Sequence, residues 1–164
     1  MSPRALIAGS ILMCGTAMGA PAYAQCTKEP GLPISRYEIQ DGQVRDKETK
    51  LTWQRCLMGQ KWRDGAGCTG TPQEITWAQA QKLSGPWRLP TKDELQTLMS
   101  SACLKSANSE AFPGFNLQYP EVWSSTETVP GQTWIVNLTG GAEFNALQSA
   151  KNGVLLVQGD APPR

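Results

Sequence analysis

Between Ser35 and Arg55 the chain reads SRYEIQDGQVRDKETKLTWQR, with apolar and polar positions alternating. A period of two is the pattern of a half-buried strand. Asp41-Gly42 punctuates it as a tight turn and Asp46-Lys47-Glu48-Thr49 as a second one. The spacing predicts a short hairpin followed by a third strand, with Tyr37, Ile39, Val44, Leu51 and Trp53 facing inward. The alternation stops at Cys56, and residues 56–73 read as a Gly-rich loop. Helical spacing returns in WAQAQKLS, where Thr76 is a capping residue and Gly85 a stop. In the stretch WRLPTKDELQTLM that follows, Thr91 and Glu94 have the T-x-x-E spacing of a capping box. Pro90 keeps Leu89 extended ahead of the cap, and Leu95, Leu98 and Met99 share one helical face. From Val122 onward the pattern turns to strands: VWSST, TWIVNL, EFNALQ and GVLLVQ. Gly140-Gly141 and Asn152-Gly153 are the expected turns between the last three.

The N-terminal pattern is of another kind. Arg4 precedes an apolar run from Ala5 to Ala20, Pro21 breaks it, and Ala22-Tyr23-Ala24 offers small residues at the positions a signal peptidase reads. The run falls short of the ~20 residues that span a bilayer. Residues 1–24 are therefore expected to be a signal peptide, and the protein to be exported to the periplasm, the cell surface or the medium. Met13 before Cys14 argues against lipidation at that cysteine. Residues 25–160 are expected to form one domain and 161–164 a frayed tail.

Export changes how the cysteines are read. Cys26, Cys56, Cys68 and Cys103 remain after cleavage, an even number in an oxidising compartment, and two disulfides are expected. The segment CLMGQKWRDGAGC can close on itself as Cys56–Cys68, which leaves Cys26 with Cys103. A zinc site lacks support, because the chain has no C-x-x-C pair and no His.

The absence of His also removes Ser-His-Asp and Cys-His nucleophile systems. Phosphate-cradling glycine motifs are missing, and nothing in the sequence calls for a cofactor or a metal. For an enzyme, a carboxylate pair of the glycosidase type is left, drawn from Asp93, Glu94, Glu121 and Glu127. With 14 acidic residues in the chain, such pairs are easy to nominate by chance. Each unusual residue of Trp87-Arg88-Leu89-Pro90-Thr91 and Glu94 has a local structural use. Arg88 is open between a buried ion pair and a polar pocket. Among the six Trp, Trp53, Trp77, Trp87 and Trp134 sit in periodic apolar patterns and read as packing. Trp62, in the Gly-rich loop, is the exposed candidate. Trp123 is left open, since the Ser-Ser-Thr-Glu run after it, ending at Glu127, can line a pocket or satisfy turn backbone.

Several segments recur in an order that identifies a family. LTWQRC (51–56), GQKWRDGAGCTG (59–70), ITWAQAQKL (75–83), WRLPTKDEL (87–95), AFPG (111–114), VWSSTE (122–127) and VLLV (154–157) together resemble the Lcl-type C-terminal domain of exported bacterial proteins. The resemblance implies an α+β fold, a disulfide-stapled variant of the C-type lectin fold with two helices beside twisted antiparallel sheets. It also implies adhesion and the binding of sulfated polysaccharides, as in a collagen-like adhesin. This chain lacks the collagen-like repeats that trimerise that adhesin, so avidity is not implied. It also lacks the Glu-Pro-Asn and Trp-Asn-Asp signatures of calcium-dependent lectins.

Charge distribution points in the same direction. Residues 25–92 hold 11 basic and 7 acidic groups, whereas residues 93–164 hold 3 and 7. A basic first half can meet an anionic polymer; interleaving of the two halves would instead pair the charges off. Expected ligand contacts are Lys47, Lys50, Lys61, Trp62 and Arg63, with Trp123 and Glu127 as further candidates. The reading is a non-enzymatic binding domain for an anionic glycan or an envelope protein. Its alternatives are a carboxylate-based glycan-processing enzyme and a structural subunit. Nucleic acid is a poor partner for an exported domain with balanced charge.

Overall fold

The computed structural model describes residues 32–99, 110–115 and 121–159. The expected signal peptide, Cys26, Cys103 and the tail lie outside these residues.

Alternation does what it predicts in the first third. Strands β1 (Tyr37–Gln40) and β2 (Gln43–Asp46) form a hairpin, and β3 (Thr52–Gln54) pairs antiparallel with β2. Asp41 takes the left-handed conformation at the tip, φ 48°, a region that Asp enters more readily than most residues. Gly42 is needed for space instead: a Cβ there would stand 2.9 Å from the Cβ of Trp62. The inward row runs Ile39, Val44, Trp53, Val157 across four strands. Val44, Trp53 and Val157 are fully buried, but Ile39 is 38% exposed, contrary to expectation. It ends the row on the edge strand, where no further strand covers it.

The loop 56–73 holds more structure than its glycines suggest. Cys56 and Cys68 are joined in a disulfide with Cα atoms 5.5 Å apart, as the local closure predicts. Within it, β4 (Lys61–Arg63) and β5 (Gly67–Thr69) form a small hairpin.

Both helices are short and both start with a full capping box. In α1 (Trp77–Gln81) Thr76 and Gln79 exchange side-chain and backbone bonds, and in α2 (Lys92–Gln96) Thr91 and Glu94 do the same. Tightened turns extend each helix by a few residues: Leu83 N–H donates to Ala80 and Met99 N–H to Gln96. Leu95, Leu98 and Met99 are buried together as their spacing requires.

Strands β6 (Glu121–Glu127), β7 (Gln132–Asn137) and β8 (Glu143–Leu147) form a second antiparallel sheet. The last predicted strand is different. Only Val157–Gln158 is a strand, β9, and it pairs with β3 of the first sheet. Asn152 and Gly153 are not a hairpin turn; they bridge to Ile75 and Val122. The chain thus returns to the first sheet, and the arrangement is mixed α+β with antiparallel sheets. One buried cluster lies under the first sheet and α2, including Trp53, Leu95, Phe112 and Leu155. A second gathers Ile75, Ala80, Leu89, Trp123, Ile135 and Val154.

Candidate functional site

The motif WRLPT is a structural joint. Glu94, 2% exposed, accepts the Thr91 N–H at 2.8 Å and two bonds from the Arg88 guanidinium at 2.7 and 2.8 Å. Arg88 also donates to the Gly159 carbonyl at 2.9 Å, tying the motif to the segment after β9. Arg88 is therefore the ion-pair partner of its two alternatives. The neighbouring Ser-Ser-Thr run serves backbone: Ser124 Oγ donates to the Trp134 carbonyl and accepts from Thr126 N–H, and Thr126 Oγ1 accepts the Lys92 N–H. Trp123 is fully buried, its indole donating to the Ile75 carbonyl at 2.8 Å. It is core rather than a stacking surface, because β6 is covered on both faces and buries Val122 and Trp123 in succession. Glu127 lies at the exposed end of β6, accepting from Gln148 at 3.2 Å.

The remaining candidates bracket the outer face of the first sheet. A depression of about 370 Å³ is lined by Gln40, Gly42, Gln43, Gln54 and Trp62 among others. A second, of about 410 Å³, is lined by Gln40, Gln43, Arg45, Lys50 and Gln158 among others. They share Gln40 and Gln43, so they adjoin. Trp62 stands at one end and Lys50 at the other. Lys47 is exposed in the turn between β2 and β3. Lys61 and Arg63 are exposed on β4, where strand alternation turns them to the face opposite Trp62. The expected stripe Lys61-Trp62-Arg63 is thus split across the hairpin.

Trp62 is held from three directions. The Arg55 guanidinium lies 3.8 Å above its ring centre, its indole N–H donates to Asp64 at 2.9 Å, and the hairpin tip closes on it at Gly42. Arg55 counts among the basic groups of the first half, but it is 6% exposed. It donates to the carbonyls of Asp41 (2.8 Å), Glu110 (2.7 Å) and Ala111 (2.9 Å). Burial lowers its pKa, and Glu110 offsets part of that. Its role was not legible in the sequence, where an Arg beside a Gln reads as a surface cation. The one available signal was its place immediately before a bridged cysteine.

None of the nominated carboxylates Asp93, Glu94, Glu121 and Glu127 lines either depression. Glu94 is consumed by Arg88, and Asp93 is 86% exposed beside Lys92. Among the described residues no group of three or more His, Cys, Asp or Glu is placed to hold a metal. No helix among them is long and apolar enough to cross a membrane.

A family model, the Lcl C-terminal domain, matches residues 42–158. The chain belongs to this family. The match starts at the hairpin tip and ends in β9, so it takes in every described strand except β1, and most of the residues that line the depressions. No curated protein matches the chain.

Proposed function

We propose that this Lcl C-terminal domain is an exported, non-enzymatic recognition module that binds glycans on the outer face of its first sheet. The observation that carries the reading is the pair of adjoining depressions, one of them walled by the braced indole of Trp62. A fixed aromatic can pack on the C–H face of a sugar ring, and polar side chains beside it can bond the ring's hydroxyls. The four carboxylates nominated as a hydrolytic pair lie away from these depressions, and the two that line them, Glu38 and Asp41, are split one to each. The two short helices beside antiparallel sheets, with the chain returning at β9 to the first sheet, support reading the fold as a variant of the C-type lectin.

The test is an immobilised array of neutral and anionic glycans probed with the purified chain and with Trp62→Ala. Selective binding that this variant loses supports the reading; no binding to any glycan overturns it. A second reading, a subunit of an envelope assembly, is favoured by the second sheet. There Phe144 is 48% and Leu147 60% exposed on β8, whose outer side is unpaired among the described strands, the geometry that accepts an added strand.

A further inference from the structure

The outer face of the first sheet carries side chains that the packing does not use. Register sets Gln40, Gln43 and Gln54 side by side across β1, β2 and β3. The next row is Glu38, Arg45, Thr52 and Gln158. A solvated sheet face is polar by default, so polarity alone means little. Three features set this face apart. It is indented, because two depressions adjoin at Gln40 and Gln43. One end is closed by an indole that cannot easily turn away, held by Arg55, Asp64 and Gly42. And among the described residues no hydrogen bond engages the side-chain amides of Gln40, Gln43, Gln54 or Gln158.

The charges on this face cancel. Glu38 and Asp41 stand against Arg45 and Lys50, so a polyanion gains no net attraction there. A primary amide presents an acceptor and two donors, the complement of a hydroxyl that both gives and takes a hydrogen bond. The indole supplies an apolar surface for the C–H face of a sugar ring. We propose that the trough is a subsite for an uncharged saccharide, with Gln43 and Gln54 bonding its hydroxyls and Trp62 packing on the adjacent ring. This rests on the reading of the domain as a glycan binder. It departs from the anionic ligand that the family resemblance and the split Lys61–Arg63 stripe suggest.

Isothermal titration of the purified chain with neutral hexasaccharides of glucose, N-acetylglucosamine and mannose, and with heparin as the polyanion, tests it. At least one neutral hexasaccharide binds, with a Kd that changes less than about twofold between about 20 and about 500 mM salt, since no charge pairing is screened. Gln43→Ala combined with Gln54→Ala weakens that binding by about tenfold, the effect of losing one or two net hydrogen bonds, with circular dichroism and melting unchanged. Lys61→Ala combined with Arg63→Ala leaves it unaltered. Neutral binding that ignores the glutamine substitutions overturns the proposal. So does binding to heparin alone with steep salt dependence, although the glycan reading then stands. No binding to any of the four probes overturns both.

Discussion

At the scale of single residues, Arg55 and Gly42 set the position of Trp62, and neither does so through the property its residue type advertises. Arg55 works as a three-way donor to carbonyls and Gly42 by leaving room. Arg55→Ala leaves these acceptors without their charged donor and the indole without its stack. It is expected to cost about 2–4 kcal/mol in urea unfolding, the range for losing several charged hydrogen bonds in part-buried positions. Arg55→Lys recovers little of this, because one ammonium group cannot span three carbonyls with a planar fork. Unchanged stability in Arg55→Ala would show that the guanidinium is ornamental. Gly42 was legible as a turn residue, but its actual constraint lies in a side chain 20 positions later. No local pattern carries that. The same limit explains Trp123: period-two reading assumes one wet face, and β6 has none at that point.

At the scale of elements, the parts that sequence revealed are those closed by near neighbours. The β1–β2 turn, both helix caps and the Cys56–Cys68 bridge involve partners three to twelve positions apart. The β4–β5 hairpin escaped because three-residue strands broken by glycine have no period to detect. The strand at β9 was legible but its pairing was not, because its partner β3 lies about a hundred residues upstream. The α2 cap permits a graded test. Thr91→Ala removes one capping acceptor and is expected to cost about 1 kcal/mol. Glu94→Ala removes the cap's other half and also strands the Arg88 guanidinium, so about 3 kcal/mol is expected, tempered by Arg88's partial exposure. Equal losses in thermal or urea unfolding would mean that the ion pair contributes nothing beyond the cap. Removing the disulfide by Cys56→Ser with Cys68→Ser is expected to cost about 2–3 kcal/mol on the chain-entropy account. It also frees the strand that carries Trp62, so glycan binding should fall further than stability does.

At the scale of the whole molecule, a buried ion pair ties the segment before β1 to the end of β2, and that shapes the response to acid. Asp46 ends β2 and is fully buried. Burial alone would push its carboxyl up. The Arg36 guanidinium, which bonds both its oxygens, and the Glu48 N–H at 2.9 Å outweigh this and hold the pKa below its ordinary value. A carboxylate depressed in the folded state contributes stability that is fully present above its unfolded pKa and is lost as pH falls through the folded one. Stability is therefore expected to hold at neutral pH, to begin falling near pH 4, where an unfolded Asp titrates, and to go on falling below it. Asp46→Asn removes the charge but keeps the size. At pH 7 it is expected to cost about 2–3 kcal/mol, less than a fully stranded buried ion, because Arg36 keeps Glu48 at 3.1 Å. The decisive quantity is the gap between the two proteins as a function of pH. Urea midpoints taken from pH 7 to pH 3 should begin to converge near pH 4, as the unfolded aspartate takes up a proton that the native carboxylate still refuses. A gap that stays constant down to pH 3 would mean that the aspartate is held by shape and neutral hydrogen bonds, and that the acid response of the fold arises elsewhere.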